Sequence, residues 1–164
     1  MRAAPRSSRS RRGLRRRLAA SYAAGVAVSI VDRFRAVPLF SSCSDDQLRF
    51  IATQVEEMDF PAGRVLCRQG ASGGEFFILL TGAAEVRRDE RPIRQLGPGD
   101  YFGEIALLEH GPRSATVETT AASRCLVLSQ SQFKNVLAQD KSIALNVLHT
   151  LASRLRGTGA VPAD

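Results

Sequence analysis

The sequence predicts a mainly β fold with flanking helices: an antiparallel sandwich or roll, with N-terminal helices before it and a C-terminal helix after it. Three observations carry this. From Met58 to Leu128, short runs rich in Val, Ile, Phe and Leu are broken every eight to twelve residues by Gly63, Gly70, Gly73, Gly74, Gly82 and Gly97 to Gly99, the spacing of short antiparallel strands. Two capping-box patterns, Ser44-Asp45-Asp46-Gln47 and Ser129-Gln130-Ser131-Gln132, bracket that region. After Asp140 the apolar period changes to that of a helix.

Taken in order, residues 1–17 form an arm with Arg2, Arg6, Arg9, Arg11, Arg12, Arg15, Arg16 and Arg17 among Ser and Ala, a composition that cannot build a core, so a disordered arm is expected. Fourteen uncharged residues follow, Leu18 to Val31, short of the ~20 that a membrane span needs and rich in Ala rather than Leu. A signal peptide is an alternative, with Ser10-Arg11-Arg12 similar to a twin-arginine signal, but no convincing cleavage site follows; mitochondrial-type import also suits the composition. The preferred reading of 18–35 is a linker or amphipathic helix, with Tyr22, Val26, Ile30 and Phe34 at i, i+4 spacing, that packs on the roll or touches an anionic surface. Val37-Pro38-Leu39-Phe40 is an apolar turn. Leu48, Phe50, Ile51 and Val55 belong to a short amphipathic helix begun by the first capping box. The second opens a helix carrying Phe133, Val136 and Leu137; from Asp140 to Arg156, Ile143, Ala144, Val147, Leu148, Leu151, Ala152 and Leu155 form one apolar stripe. One domain is thus expected over 36–156, with a disordered tail over 157–164.

A chain of 164 residues with a net charge of +7 would be basic overall, but the charge is segregated. Residues 1–35 hold ten Arg and one Asp, a balance of +9, and the remainder carries −2. Nucleic-acid attraction or weak contact with a membrane or another anionic surface is therefore expected of the arm only. Cys43, Cys67 and Cys125 are odd in number and have no Cys-x-x-Cys partner, which fits a reducing cytoplasm. Cys67 and Cys125 fall in strand-like runs and are expected in the core; Cys43, in a polar turn, is expected to be exposed.

The chemistry concentrates in residues 102–117, Phe-Gly-Glu-Ile-Ala-Leu-Leu-Glu-His-Gly-Pro-Arg-Ser-Ala-Thr-Val. Gly103 lets backbone approach a ligand, and Glu104, Ile105 and Ala106 open a helical turn whose free N–H groups attract an anion. Arg113 adds a guanidinium that can fork onto phosphate oxygens, whereas ionised Glu104 only accepts, which suits a sugar hydroxyl. A phosphate on Arg113 and a ribose on Glu104 follow from that division.

These residues resemble the phosphate-binding cassette of the cyclic nucleotide-binding domain family, shared by protein kinase regulatory subunits, nucleotide-gated channels and the bacterial catabolite activator protein. Gly74-Glu75-Phe76-Phe77-Ile78-Leu79-Leu80-Thr81-Gly82 resembles the family's early strand, with Glu75 where Asp is more usual, and Gly97-Pro98-Gly99-Asp100-Tyr101-Phe102-Gly103-Glu104 resembles the lead into the cassette. The likeness runs from about Phe34 to about Arg156. It implies an antiparallel β-roll, a jelly-roll-like double-stranded β-helix, with N-terminal helices and a C-terminal lid helix; that Phe102 to Thr116 is the cassette, with Phe102, Gly103, Glu104, Ile105, Ala106, Arg113, Ser114 and Ala115 at the ligand; and that Leu148 or Leu151 on the last helix covers the purine. Packing on the roll or a homodimer seam would use the same two leucines. A hydroxyl residue after the arginine accompanies cyclic GMP preference in kinase relatives, yet the short Pro-Arg-Ser-Ala-Thr-Val form is similar to the bacterial type, which implies cyclic AMP.

No enzyme is visible. His110 and His149, on different elements, cannot make the His cluster of a metal-binding cupin, and no Gly-x-Ser-x-Gly elbow occurs. No cofactor is expected beyond the nucleotide ligand. No helix-turn-helix follows the last helix before Asp164, so specific DNA binding is not expected. A cytoplasmic cyclic nucleotide sensor acting on an unidentified effector protein is the leading expectation; the alternatives are the regulatory part of a membrane channel or transporter, or a catabolite-activator-type regulator lacking its DNA-binding domain.

Overall fold

The computed structural model describes residues 26–157. The expectations for the arm, for the first part of the 18–35 segment including Tyr22, and for the tail after Gly157 lie outside the described residues.

Both capping boxes form as read. Ser44 Oγ accepts from Gln47 N–H (3.2 Å) while Gln47 Oε1 accepts from Ser44 N–H (2.8 Å), starting a helix over Asp45–Gln54. Ser129 and Gln132 repeat the exchange at 3.2 and 2.8 Å and start a helix over Gln130–Gln139. With Val26–Arg35 before them and Lys141–Gly157 after, these make helices α1 (Val26–Arg35), α2 (Asp45–Gln54), α3 (Gln130–Gln139) and α4 (Lys141–Gly157). A 3-10 turn at Pro38–Phe40 joins the first two.

Eight strands lie between α2 and α3: β1 Glu56–Phe60, β2 Val65–Cys67, β3 Glu75–Thr81, β4 Ala84–Arg88, β5 Arg91–Leu96, β6 Tyr101–Phe102, β7 Thr116–Thr119 and β8 Ser123–Ser129. They pair antiparallel in two four-stranded sheets, ordered β1-β8-β3-β6 and β2-β7-β4-β5. The first sheet is covered on both faces, which explains why β3 reads as an unbroken apolar run. Phe77 and Leu79 point into the roll with Ala84, Leu96, Val117, Cys125 and Val127, while Phe76 and Ile78 point to the helical layer. There Phe40 makes edge contacts with Phe34 (5.5 Å), Phe76 (6.0 Å) and Phe133 (6.0 Å). Ile30, Val31 and Phe34 of α1 are buried in this same core, so the end of the 18–35 segment packs with the 36–156 unit.

Cys43 is a correction to the sequence reading. It is buried, because the turn bond from its N–H to Phe40 O (3.1 Å) directs its side chain into the helical core despite its serine neighbours. Burial pushes its thiol up to about 11, and the buried Cys125 thiol likewise to about 11.

Helix α4 docks on the Pro38–Phe40 turn, α2 and α3, burying Ile143, Val147 and Thr150. Ser42 Oγ and Thr150 Oγ1 share a hydrogen bond (2.9 Å), and Gln47 accepts from Asn146 Nδ2 (2.9 Å) and donates to Ser142 Oγ (2.6 Å). Leu151 leans on the same core, whereas Leu145, Leu148 and Leu155 are exposed. No described helix is long and apolar enough to cross a membrane.

Candidate functional site

Strand β6 hands the chain to the cassette. Phe102 pairs with Phe77 on β3, and the two rings stack 4.8 Å apart, so Phe102 is spent on packing inside the roll. The next residue, Gly103, has φ +86°, and a Cβ there would lie 2.7 Å from both Glu75 O and Arg113 Nη1. Only glycine fits on both counts. It caps a 3-10 turn over Glu104–Leu107, the helical turn expected from the sequence. Leu107 buries its side chain in the helical core and anchors the turn, and Ala106 O accepts from Gln130 Nε2 at the start of α3 (3.2 Å).

Arg113 comes from the far end of the same loop and is the one buried charged residue among the described residues, its side chain 8% exposed. Its Nη2 donates to Glu75 O (2.8 Å) and lies 3.5 Å from Glu75 Oε2, a carboxylate that is half exposed. Its Nε, also buried, has no hydrogen-bond partner. Glycines wall the guanidinium: a Cβ at Gly73 would come within 2.8 Å of Nε, as one at Gly103 would of Nη1. A buried cation with one backbone acceptor, one long ion pair and an orphaned donor is under-satisfied, and an arriving anion would complete it.

Gly103, Glu104, Ile105, Glu109, Arg113 and Ser114 are among the residues around a cavity of about 450 Å³. A smaller hollow of about 260 Å³ shares Arg113 with Cys67 and Glu75. Burial pushes the Cys67 thiol up, with nearby Arg113 acting in the opposite direction.

Of the residues picked from sequence, the structure brings Gly103, Glu104, Ile105, Ala106, Arg113 and Ser114 to one cavity. Phe102 and the buried Ala115 support it without lining it, and neither Leu148 nor Leu151 lines it, because α4 is docked elsewhere. Gly73 and Glu109 were missed. Gly73 was legible only as a turn glycine, and its contact with Arg113 is a product of the fold. His110 and His149 are exposed, and no group of residues able to hold a metal ion occurs among the described residues.

The family model described as "Cyclic nucleotide-binding domain" matches residues 57–140. The chain is 37% identical over 110 residues to a cAMP-dependent protein kinase regulatory subunit of Mycosarcoma maydis, covering 62% of this chain and 21% of that protein. It is 34% identical over 122 residues to a cyclic nucleotide-gated potassium channel of Rhizobium etli, covering 74% of this chain and 34% of the channel. The chain therefore spans about a fifth of the kinase subunit and about a third of the channel. Among solved structures, the N-terminal domain of a transcriptional regulator from Streptomyces coelicolor superposes with a TM-score of 0.72 at 27% identity, over 81% of this chain and 96% of that one.

Proposed function

The chain belongs to the cyclic nucleotide-binding domain family, and we propose that it is a sensor whose cavity takes a cyclic nucleotide, cyclic AMP in preference to cyclic GMP, with the cyclic phosphate on Arg113 and the ribose on Glu104. The observation that carries the reading is the Arg113 guanidinium: buried, walled by Gly73 and Gly103, under-satisfied at its orphaned Nε, and belonging to a residue that lines one cavity with Glu104. Phosphate oxygens supply the acceptors that the guanidinium lacks. The family is regulatory rather than catalytic, and we extend that to this chain: binding, not turnover, is its activity, in the cytoplasm.

Ser114 is exposed at the cavity's edge, where its hydroxyl can reach phosphate; the preference for cyclic AMP rests on the Arg-Ser-Ala form of the loop. The output is assigned to α4. Leu148, exposed as docked, would bury on the order of 50 Å² of apolar surface against a base, about 1 kcal/mol, enough to move a nearly balanced helix and so alter a partner's surface. Because the chain spans about a fifth to a third of these curated relatives, a second reading of the partner is another part of one longer protein.

Calorimetric titration with cyclic AMP and cyclic GMP tests the assignment. Parent protein should bind both, cyclic AMP more tightly, and Arg113→Ala should lose ~2–5 kcal/mol because a desolvated phosphate is left unpaired. An Arg113→Ala protein that binds like the parent would refute the phosphate assignment.

A further inference from the structure

We propose that Gln69 and Asp89 are positioning residues for Arg113: a side-chain clamp, outside the cavity, that holds the arginine end of the cassette where an anion can use it. The inference rests on the site reading above and adds to it two residues from separate elements, the loop after β2 and the tip of the β4–β5 hairpin.

Gln69 and Asp89 bond reciprocally. Gln69 Nε2 donates to Asp89 Oδ1, and Asp89 N–H donates back to Gln69 Oε1, both at 2.8 Å. From each side of this pair a strap runs to the cassette. On the loop side, Gln69 N–H donates to Thr116 Oγ1 (2.9 Å), Gly70 N–H to Arg113 O (2.8 Å), and Arg113 N–H to Ala71 O (2.8 Å), with an antiparallel bridge between Ser72 and Pro112. On the hairpin side, Arg88 Nε donates to Ser114 O (3.3 Å). The Gln69–Asp89 pair ties one strap to the other. Gly73, which walls the guanidinium, is the next residue along the loop strap, so a shift of that loop moves the wall and the arginine backbone together.

The hairpin tip gives an independent reason to look for a use of the Asp89 side chain. Asp89 and Glu90 have φ of +51° and +63°, left-handed at both positions, where glycine would be relaxed. Aspartate is one of the few non-glycine residues that adopt this conformation, at some cost relative to glycine, and its carboxylate is the acceptor that Gln69 uses there.

That strain provides the test. Asp89→Gly removes the carboxylate, keeps the backbone N–H and relaxes the turn, so an idle carboxylate predicts an equally or more stable protein with unchanged binding, and a purely structural one a less stable protein with unchanged binding. The clamp predicts a melting temperature no lower than the parent's, yet cyclic AMP binding weakened about fivefold by titration calorimetry, the scale of one lost hydrogen bond. Gln69→Ala should weaken binding similarly, and Asp89→Asn, which keeps an acceptor and tolerates left-handed backbone, should restore most of the affinity. Since the effect runs through the guanidinium, Asp89→Gly should add less than twofold when placed on Arg113→Lys. A parent that binds no cyclic nucleotide overturns the site reading and this inference with it. A binding parent whose Asp89→Gly variant stays within twofold, or an undiminished effect on Arg113→Lys, overturns the clamp and leaves the site reading standing.

Discussion

From Pro112 to Thr116 the cassette is fastened from outside: Arg113 N–H and O are both bonded to the β2–β3 loop, Ser114 O is held by Arg88, and Thr116 Oγ1 accepts from Gln69 N–H. From Glu104 to Glu109 the bonds run inward instead. Ala106 N–H donates to Gly103 O (3.1 Å), and Leu108 and Glu109 N–H both donate to Ile105 O (3.0 Å); Leu107 anchors this turn and Gln130 reaches it, while Ile105 and Leu108 are exposed. A segment strapped at each residue is built before ligand arrives, whereas a self-bonded turn on one anchor can shift as a unit. Under the proposed function, the arginine end would supply affinity, and the glutamate end, which touches the start of α3, would supply the response.

Gly103 is where the two ends meet, and changing it should break the contrast with the largest effect. A methyl group there would sit 2.7 Å from a backbone carbonyl on β3 and from Arg113 Nη1, at φ +86°. Neither the carbonyl nor the buried guanidinium can withdraw freely. Gly103→Ala should cost about 2–4 kcal/mol of stability by denaturant unfolding, and cyclic nucleotide binding should fall with it. A variant as stable as the parent would mean that the junction is softer than its geometry implies.

The parts of this arrangement legible in sequence are those that neighbours along the chain decide. Ser44 with Gln47 and Ser129 with Gln132 name their own partners at fixed spacing, and both boxes form. The Gly103-Glu104 to Arg113-Ser114 stretch was equally readable, because one loop carries both charges. What the sequence hides is decided across the fold. Cys43, flanked by serines, is buried because Phe40 turns it inward. The stripe on α4 is wider than its docking face: Thr150, a polar residue absent from the stripe, is buried through Ser42, while Leu148 and Leu155 stay outside. Gln69 and Asp89 are twenty residues apart and polar, so nothing in their spacing announces a contact.

Glu104→Gln sharpens the comparison from the other end. Replacing the carboxylate by an amide keeps the size and removes the charge-assisted acceptor for a ribose hydroxyl. Binding of cyclic AMP should weaken by ~1–2 kcal/mol, and the parent's preference for it over the 2′-deoxy analogue should shrink towards unity. If the variant discriminates between the two ligands as strongly as the parent does, the ribose is held elsewhere and the division of labour between the two ends is wrong.

The smallest change in affinity should come from Gln130→Ala, which separates holding a ligand from reporting it. Gln130 is the first residue of α3, and its amide is the side-chain bond between that helix and the carbonyl of Ala106. Removing it takes away one partly buried hydrogen bond at the glutamate end, so affinity should fall by only ~0.5–1 kcal/mol. The response should suffer more. In the parent, cyclic AMP should raise amide protection across 105–109 and 141–157 and leave Arg113 and its neighbours as they were, already bonded in the free protein. In Gln130→Ala the rise at 105–109 should persist while that over 141–157 is markedly reduced, because α3 is the element that lies between the turn and α4. Equal protection of α4 in both proteins would route the signal past α3, leaving the buried Leu107 contact with the helical core as the path from the glutamate end.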